Sequence, residues 1–126
     1  MFDLKIDRER IRLEITLWGF WDVPTVDRFE RDMIAALREL KRLGSPTTSL
    51  IDGRIYPVQS QEIIARHERL LAGLGDLAAD WIALVQPSHL VRLQAARAAG
   101  ELRHRVFASK DEAHAWLDAS TTRQAA

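Results

Sequence analysis

The sequence predicts a single-domain α/β protein built on a mixed, mostly parallel β-sheet, and three observations carry that expectation. Apolar residues alternate with polar ones over two N-terminal stretches, Phe2-Leu4-Ile6 and Ile11-Leu13-Ile15-Leu17, the period of half-buried strands. From residue 22 onward, segments with apolar residues at helical spacing take turns with short apolar runs. One of those runs, Trp81-Ile-Ala-Leu-Val85, shows no alternation, which suits a central strand covered on both faces. Strands that alternate with helices need right-handed crossovers and therefore parallel neighbours. The expected order is ββαβαβαβα, with an antiparallel N-terminal hairpin and about four helices.

Each element has its own signals. Asp7-Arg8-Glu9-Arg10 is a polar turn of hairpin length, and Trp18-Gly19-Phe20-Trp21 ends the second strand where Gly19 permits a bend. Val26, Phe29, Met33, Ala36, Leu37, Leu40 and Leu43 form the apolar face of a first helix. Asp22 or Thr25 caps it, Pro24 suits its first turn, and Gly44 with Pro46 stops it. Thr47 to Asp52 reads as the third strand, followed by a turn-rich loop. Ser60 then caps a helix with Ile63, Ile64, His67, Leu70, Leu71 and Leu74 on one face, stopped by Gly73 and Gly75. Ser88 caps a third helix whose apolar residues are Leu90, Val91, Leu93 and Ala95, ending near Gly100. Val106-Phe107 is a last short strand, and Ser109-Lys-Asp-Glu112 is a capping box opening a helix with Ala113, Trp116 and Leu117. The domain is expected over residues 1–119, with residues 120–126 as a frayed tail.

Composition narrows the function classes. Eighteen basic and 18 acidic residues give zero formal charge, without the basic excess of a nucleic-acid binder. No apolar run approaches the roughly 20 residues of a membrane span. Met1 is followed by Phe2-Asp3-Leu4-Lys5, which lacks the pattern of a secretory signal, so a cytoplasmic location is expected. The chain has no cysteine, which excludes disulfides, thiolate metal sites and cysteine catalysis. His89, His104 and His114 lack metal-pair spacing, and His67 falls on the apolar stripe of its helix. No nucleophile elbow, Walker loop or dinucleotide-binding glycine motif occurs. No cofactor, metal or catalytic activity is expected.

The chemistry that remains collects where strands give way to helices, the usual meeting place for ligands and partners in α/β folds. Ser60 reads first as a helix cap and second as a phosphorylation site, since a phosphate there would meet free N–H groups and the helix dipole. Asp52, at the end of a core strand, reads as a brace for the following loop or as an acceptor for a partner. Arg54 offers an anion contact and Tyr56 an amphipathic one. Trp18, Phe20, Trp21 and Val23 put aromatic weight at one junction, either as core or, with Trp18 on the outward side of the alternation, as an interface. The expected working rim comprises Trp21, Asp22, Asp52, Arg54, Tyr56, Ser60, Gln86, Ser88 and His89.

The strand order, the strand ending Leu50-Ile51-Asp52, and the finish Arg105-Val-Phe-Ala-Ser-Lys-Asp-Glu-Ala-His-Ala-Trp-Leu117 resemble SpoIIAA-like, STAS-type domains. Signalling members of that family carry a phosphorylatable Asp-Ser pair followed by glycine at the helix after the third strand. The matching window here, Tyr56-Pro-Val-Gln-Ser-Gln-Glu62, keeps the serine and lacks the aspartate and glycine, which counts against kinase-switched sigma regulation. The resemblance implies a stand-alone SpoIIAA-like regulatory or protein-interaction module, non-catalytic, with a protein partner or a homodimer as its assembly. The alternative it carries is a small-molecule or lipid-binding domain in the CRAL–TRIO manner, which predicts an apolar cavity between helices and sheet.

Overall fold

Phe2–Asp7 (β1) and Arg12–Trp18 (β2) pair antiparallel in the computed structural model, which describes every residue except Pro87, Glu101 and Ala126 and, for residues 123–125, the backbone alone. The chain then runs through Val23–Leu43 (α1), Thr48–Ile55 (β3), Gln61–Ala72 (α2), a 3₁₀ turn at Gly75–Leu77, Trp81–Val85 (β4), His89–Ala99 (α3), His104–Phe107 (β5) and Lys110–Ala125 (α4). The sheet order is β1-β2-β3-β4-β5, with every pair after the hairpin parallel. The expected fold class is the observed one.

The topology fixes which face each helix covers. The three crossovers from β2 to β5 step in one direction along the sheet, and with a common hand they lay α1, α2 and α3 on a single face. Leu13, Ile15 and Leu17 of β2 pack there with Val26, Phe29, Met33 and Leu37 of α1 and with Ile63 and Leu70 of α2. Ile82 and Leu84 of β4 meet Ala95 of α3 on the same side. After β5, α4 returns across the opposite face, where Ala113 and Leu117 pack on Leu50, Ala83 and Val85. Period-two alternation thus divides β4 between the two faces, which is why its sequence looks continuously apolar.

The same topology brings the ends of β2, β3 and β4 and the starts of α1, α2 and α3 to one rim. Asp22, Ser60 and Ser88 are the respective N-caps, accepting from the backbone N–H groups of Thr25, Ile63 and Val91.

Four local readings need correction. Ile11 lies outside β2, in the turn, with φ at 53°. β3 continues through Ile55 instead of stopping at Asp52, because the register with β2 shifts between Thr16 and Trp18 and lets Ile55 pair with Trp18. On α3 the expected apolar face is split. Val91 is buried, whereas Leu90 and Leu93 point to solvent because Ala95 and Ala99 supply the inward side. α4 extends to Ala125, with Ser120 buried and the hydroxyls of Thr121 and Thr122 donating to the Asp118 carbonyl. Ala126 lies outside the described residues.

Candidate functional site

Gln59, a residue the sequence reading did not single out, ties the rim together. It is 5% exposed, and its Oε1 accepts from the Trp21 N–H at 2.9 Å. Its Nε2 donates to the carbonyls of Gly19 at 3.0 Å and Pro57 at 2.9 Å. Its own backbone is clasped by Gln94 of α3, whose Oε1 accepts from the Gln59 N–H at 3.2 Å and whose Nε2 donates to the Gln59 carbonyl at 3.3 Å. One amide therefore joins the β2–α1 loop, the β3–α2 loop and α3. Its only sequence signal is position, one residue before the Ser60 cap.

Gln86 performs a similar task one strand over. Its Nε2 donates to the Gly53 carbonyl and, at 3.5 Å, to that of Tyr56; its Oε1 accepts from the Ser88 N–H at 3.0 Å. A Cβ on Gly53 would lie 3.1 Å from that Nε2, so the glycine serves close approach here. Arg92 Nε donates to the Gln86 carbonyl at 2.7 Å.

The sequence-selected rim residues do come to one end, and they divide by exposure. Asp22, Arg54, Ser60, Ser88 and His89 are on the surface, and Trp21, Asp52, Tyr56 and Gln86 are buried beneath them. Asp52 binds Arg54 through a two-pronged contact, Nε to Oδ1 at 2.9 Å and Nη2 to Oδ2 at 2.8 Å, and Oδ1 also accepts from the Arg54 N–H. Burial pushes the Asp52 carboxyl up, but the Arg54 hydrogen bonds and charge outweigh it and hold it below its ordinary value. The Tyr56 side chain is buried and not turned outward. Its hydroxyl pairs with His67 Nε2 at 2.9 Å, and both rings pack edge-on against Trp21. Burial lowers the His67 imidazole to about 4, so it is neutral at pH 7. Burial likewise raises the Tyr56 phenol. Trp21 belongs to the core, Trp18 is half-buried, and Phe20 is the outward aromatic.

Above these buried groups the rim is apolar. Among the described residues the large apolar side chains most open to solvent are Met1, Phe20, Ile55, Val58, Leu90 and Leu93. Each lies at this end of the sheet. Phe20 and Val58 flank the Gln59 contacts, Leu93 precedes Gln94, Ile55 pairs with Trp18, and Met1 exchanges backbone hydrogen bonds with Trp18. Phe20 is 83% exposed and Ile55 69%.

Beneath the rim, between α2, α3 and the sheet, is a cavity of about 100 Å³. Ile64, His67 and Leu71 of α2, Ala95 and Ala98 of α3, and Leu84 of β4 are among its walls. Among the described residues, no cluster of three or more His, Asp or Glu side chains is placed to hold a metal, and no helix is long and apolar enough to cross a membrane.

A second polar cluster lies on the α4 face. Arg12, 1% exposed, donates from Nε to Thr48 Oγ1 at 2.9 Å and from Nη2 to Asp118 Oδ1 at 2.8 Å. Its Nη1 lies 2.7 Å from His114 Nδ1. A guanidinium only donates, so Nδ1 accepts and the ring proton sits on Nε2, facing Glu14 Oε1 at 3.5 Å. Burial, and then the Arg12 charge, lower the His114 imidazole. The sequence gives no sign that this arginine, on the polar side of an alternating strand, is covered by α4.

No protein-family model matches the chain, and no curated protein matches it. Two solved structures are similar over most of their length. An uncharacterised DUF3478-family protein with a SpoIIAA-like fold, from Shewanella loihica PV-4, aligns with a TM-score of 0.70 at 17% identity, over 92% of this chain and 93% of that one. The anti-sigma factor antagonist SpoIIAA, in its unphosphorylated form, aligns with a TM-score of 0.67 at 19% identity, over 94% of this chain and 97% of its own. The chain has the SpoIIAA-like fold.

Proposed function

We propose that the chain is a non-catalytic regulatory module of the cytoplasm that docks a protein partner on the rim where β2, β3 and β4 give way to helices. The observation that carries this reading is the concentration of exposed apolar side chains there, Phe20, Ile55, Val58, Leu90 and Leu93. Apolar side chains grouped on one surface and rimmed by polar ones mark interaction sites more often than single exposed ones do. Asp22, Arg54, Ser60, Ser88 and His89 supply the polar surround. The rim is held from below by Gln59 and Gln86, so it is presented without an ordering cost. One structural neighbour, an anti-sigma factor antagonist, supports a regulatory role. Ser60 is exposed and caps α2, and its phosphorylation would place charge inside this surface.

The test is a pull-down from native lysate with wild type and with the double variant Phe20→Asp, Leu90→Asp. A stoichiometric partner captured by wild type and lost from the variant, at unchanged Tm, is expected. Capture that ignores both substitutions would sink the rim. Sedimentation of the purified chain addresses the competing occupant, a second copy forming a homodimer.

A second reading, a small-molecule site in the CRAL–TRIO manner, is favoured by the cavity of about 100 Å³ between helices and sheet. Pockets for drug-sized ligands run to roughly 300–1,000 Å³, so the space suits a compact molecule better than a long acyl chain. Native mass spectrometry of protein purified from its own cells tests it: a releasable bound mass is expected, and a bare chain counts against it.

A further inference from the structure

The cavity exists because α3 presents alanine where α2 and the sheet present larger groups. Ala95, Ala98 and Ala99 line it together with Ile64 and Leu71 of α2 and with Leu84 of β4. The larger apolar side chains of α3, Leu90 and Leu93, point to solvent instead of into this space.

Most polar groups that border the cavity are already paired; Tyr56 and His67 each keep one hydrogen-bonding position beyond their mutual contact. Gln94 gives both ends of its amide to the Gln59 backbone. Gln86 divides its amide between Gly53, Tyr56 and Ser88. Tyr56 and His67 share a single hydrogen bond of 2.9 Å. A phenolic hydroxyl can donate once and accept as well, so the Tyr56 oxygen keeps capacity for one more partner whichever way that bond runs. No ion pair of the described residues involves a residue bordering the space, and burial keeps the His67 ring uncharged. A carboxylate or ammonium group placed there would lose its hydration without gaining a counter-charge.

We propose that this cavity binds an uncharged, mainly apolar molecule of about single-ring size, carrying no more than one or two hydrogen-bonding atoms, which meet the Tyr56 hydroxyl or the second His67 ring nitrogen. The inference rests on the small-molecule reading above and assigns its ligand class. The size follows from the volume: a dry cavity of about 150 Å³ lined by Leu, Ile and Phe takes benzene or xenon, and this one is about 100 Å³. One ring is therefore the size the space accommodates. The polarity follows from the pairing census, which leaves one position on Tyr56, one on His67 and no charge.

The experiment is a methyl-detected NMR titration of the full chain with xenon, benzene, phenol and benzoate, following Ile64, Leu71 and Leu84. Saturable shifts with the three neutral probes, and none with benzoate, are expected. Ala98→Leu, which fills the space, should weaken benzene binding at least tenfold, and Phe20→Ser on the rim should leave it unchanged. Leu71→Ala, which enlarges the space, should bring indole within range and keeps the proposal testable where Ala98→Leu does not fold. Benzoate binding as well as benzene, or benzene binding indifferent to Ala98→Leu, overturns the proposal. Absence of any saturable shift also overturns it. If the neutral probes fail while protein from its own cells carries a larger bound mass, the ligand class is wrong and the small-molecule reading stands. If both come up empty, the two fall together.

Discussion

The side-chain oxygen of Gln59 accepts the backbone N–H of Trp21 at 2.9 Å, across 38 residues of sequence. That one bond fixes the entry to α1 against the entry to α2. Trp21 in turn packs edge-on against Phe29, Tyr56 and His67, so the amide anchors the aromatic centre of the larger core cluster. Gln59→Ala removes the acceptor for Trp21 and the donor to Gly19 and Pro57, leaving three backbone groups without this partner. A loss of about 2–4 kcal/mol is expected from urea unfolding, since unpaired buried polar groups cost more than the hydrogen bonds themselves contribute. Gln59→Glu keeps the acceptor and loses the donor, and should be no better tolerated, because a carboxylate would then face two carbonyls. A stability within 0.5 kcal/mol or so of wild type for either variant would show that the loops hold without the amide.

His67 makes the protein acid-sensitive. Its folded-state pKa is lowered to about 4 by burial, whereas in the unfolded chain it titrates near its ordinary value of 6.5. Above pH 6.5 both states are neutral there and the group adds no pH dependence. Between 6.5 and about 4 the unfolded state binds the extra proton, so stability falls as pH falls. The total is on the order of 3 kcal/mol and is complete once pH drops below the folded value. Urea midpoints measured from pH 7 to pH 4 should show this slope, and His67→Gln should remove most of it. An unchanged slope in that variant would assign the acid response elsewhere, with His114 as the first candidate because its shift has the same sign.

Ser60 separates a cap from a switch. Its Oγ accepts from the Ile63 N–H at 3.3 Å, an ordinary N-cap contact. Ser60→Ala should cost about 1 kcal/mol, and Ser60→Asp should recover most of it, because aspartate caps equally well and favours the helix dipole. A rim partner displaced by Asp and retained by Ala would assign a phosphate-sensitive surface. Equal binding by both variants would leave Ser60 as a cap alone, and intact-mass analysis of protein from native cells gives the independent check.

The fold was legible because its signals are local. The caps Asp22, Ser60 and Ser88 stand where the sequence sets them, and the unalternating run Trp81–Val85 is the strand with helices on both sides. The rim was legible as topology, since parallel strands force their ends together. Which rim residues are buried was not, because this depends on pairs such as Gln59–Trp21 and Tyr56–His67 that no spacing rule encodes. α3 misled for the same reason. Leu90, Val91, Leu93 and Ala95 do not fall on one side of a helix, and alanine won the inward side because α2 is close. Arg12 was hidden because alternation reveals only two faces and not that α4 covers the second.

That buried arginine gives the last prediction. Arg12 is 1% exposed, while the side chain of its carboxylate partner, Asp118, is 51% exposed. The desolvation cost of the pair therefore sits almost wholly on the guanidinium. Removing Asp118 strands the buried cation, with Thr48 and a neutral His114 as hydrogen-bonding partners. Asp118→Asn should thus cost about 1–2 kcal/mol, above the ~0–1 kcal/mol of an exposed pair. Arg12→Met, which keeps the length and removes the cation, should cost no more than Asp118→Asn, since Asp118 can return to water and Thr48 Oγ1 can still donate to the Ile11 carbonyl. The two substitutions are further separated by the His114 titration. Burial lowers that imidazole first and the Arg12 charge second, so Arg12→Met should raise its pKa part of the way toward the ordinary value. Asp118→Asn takes away a carboxylate and leaves Arg12 in place, so it should not raise it. Imidazole chemical shifts followed against pH read this directly. A His114 pKa that fails to rise in Arg12→Met would mean that the guanidinium does not set the ring's charge state.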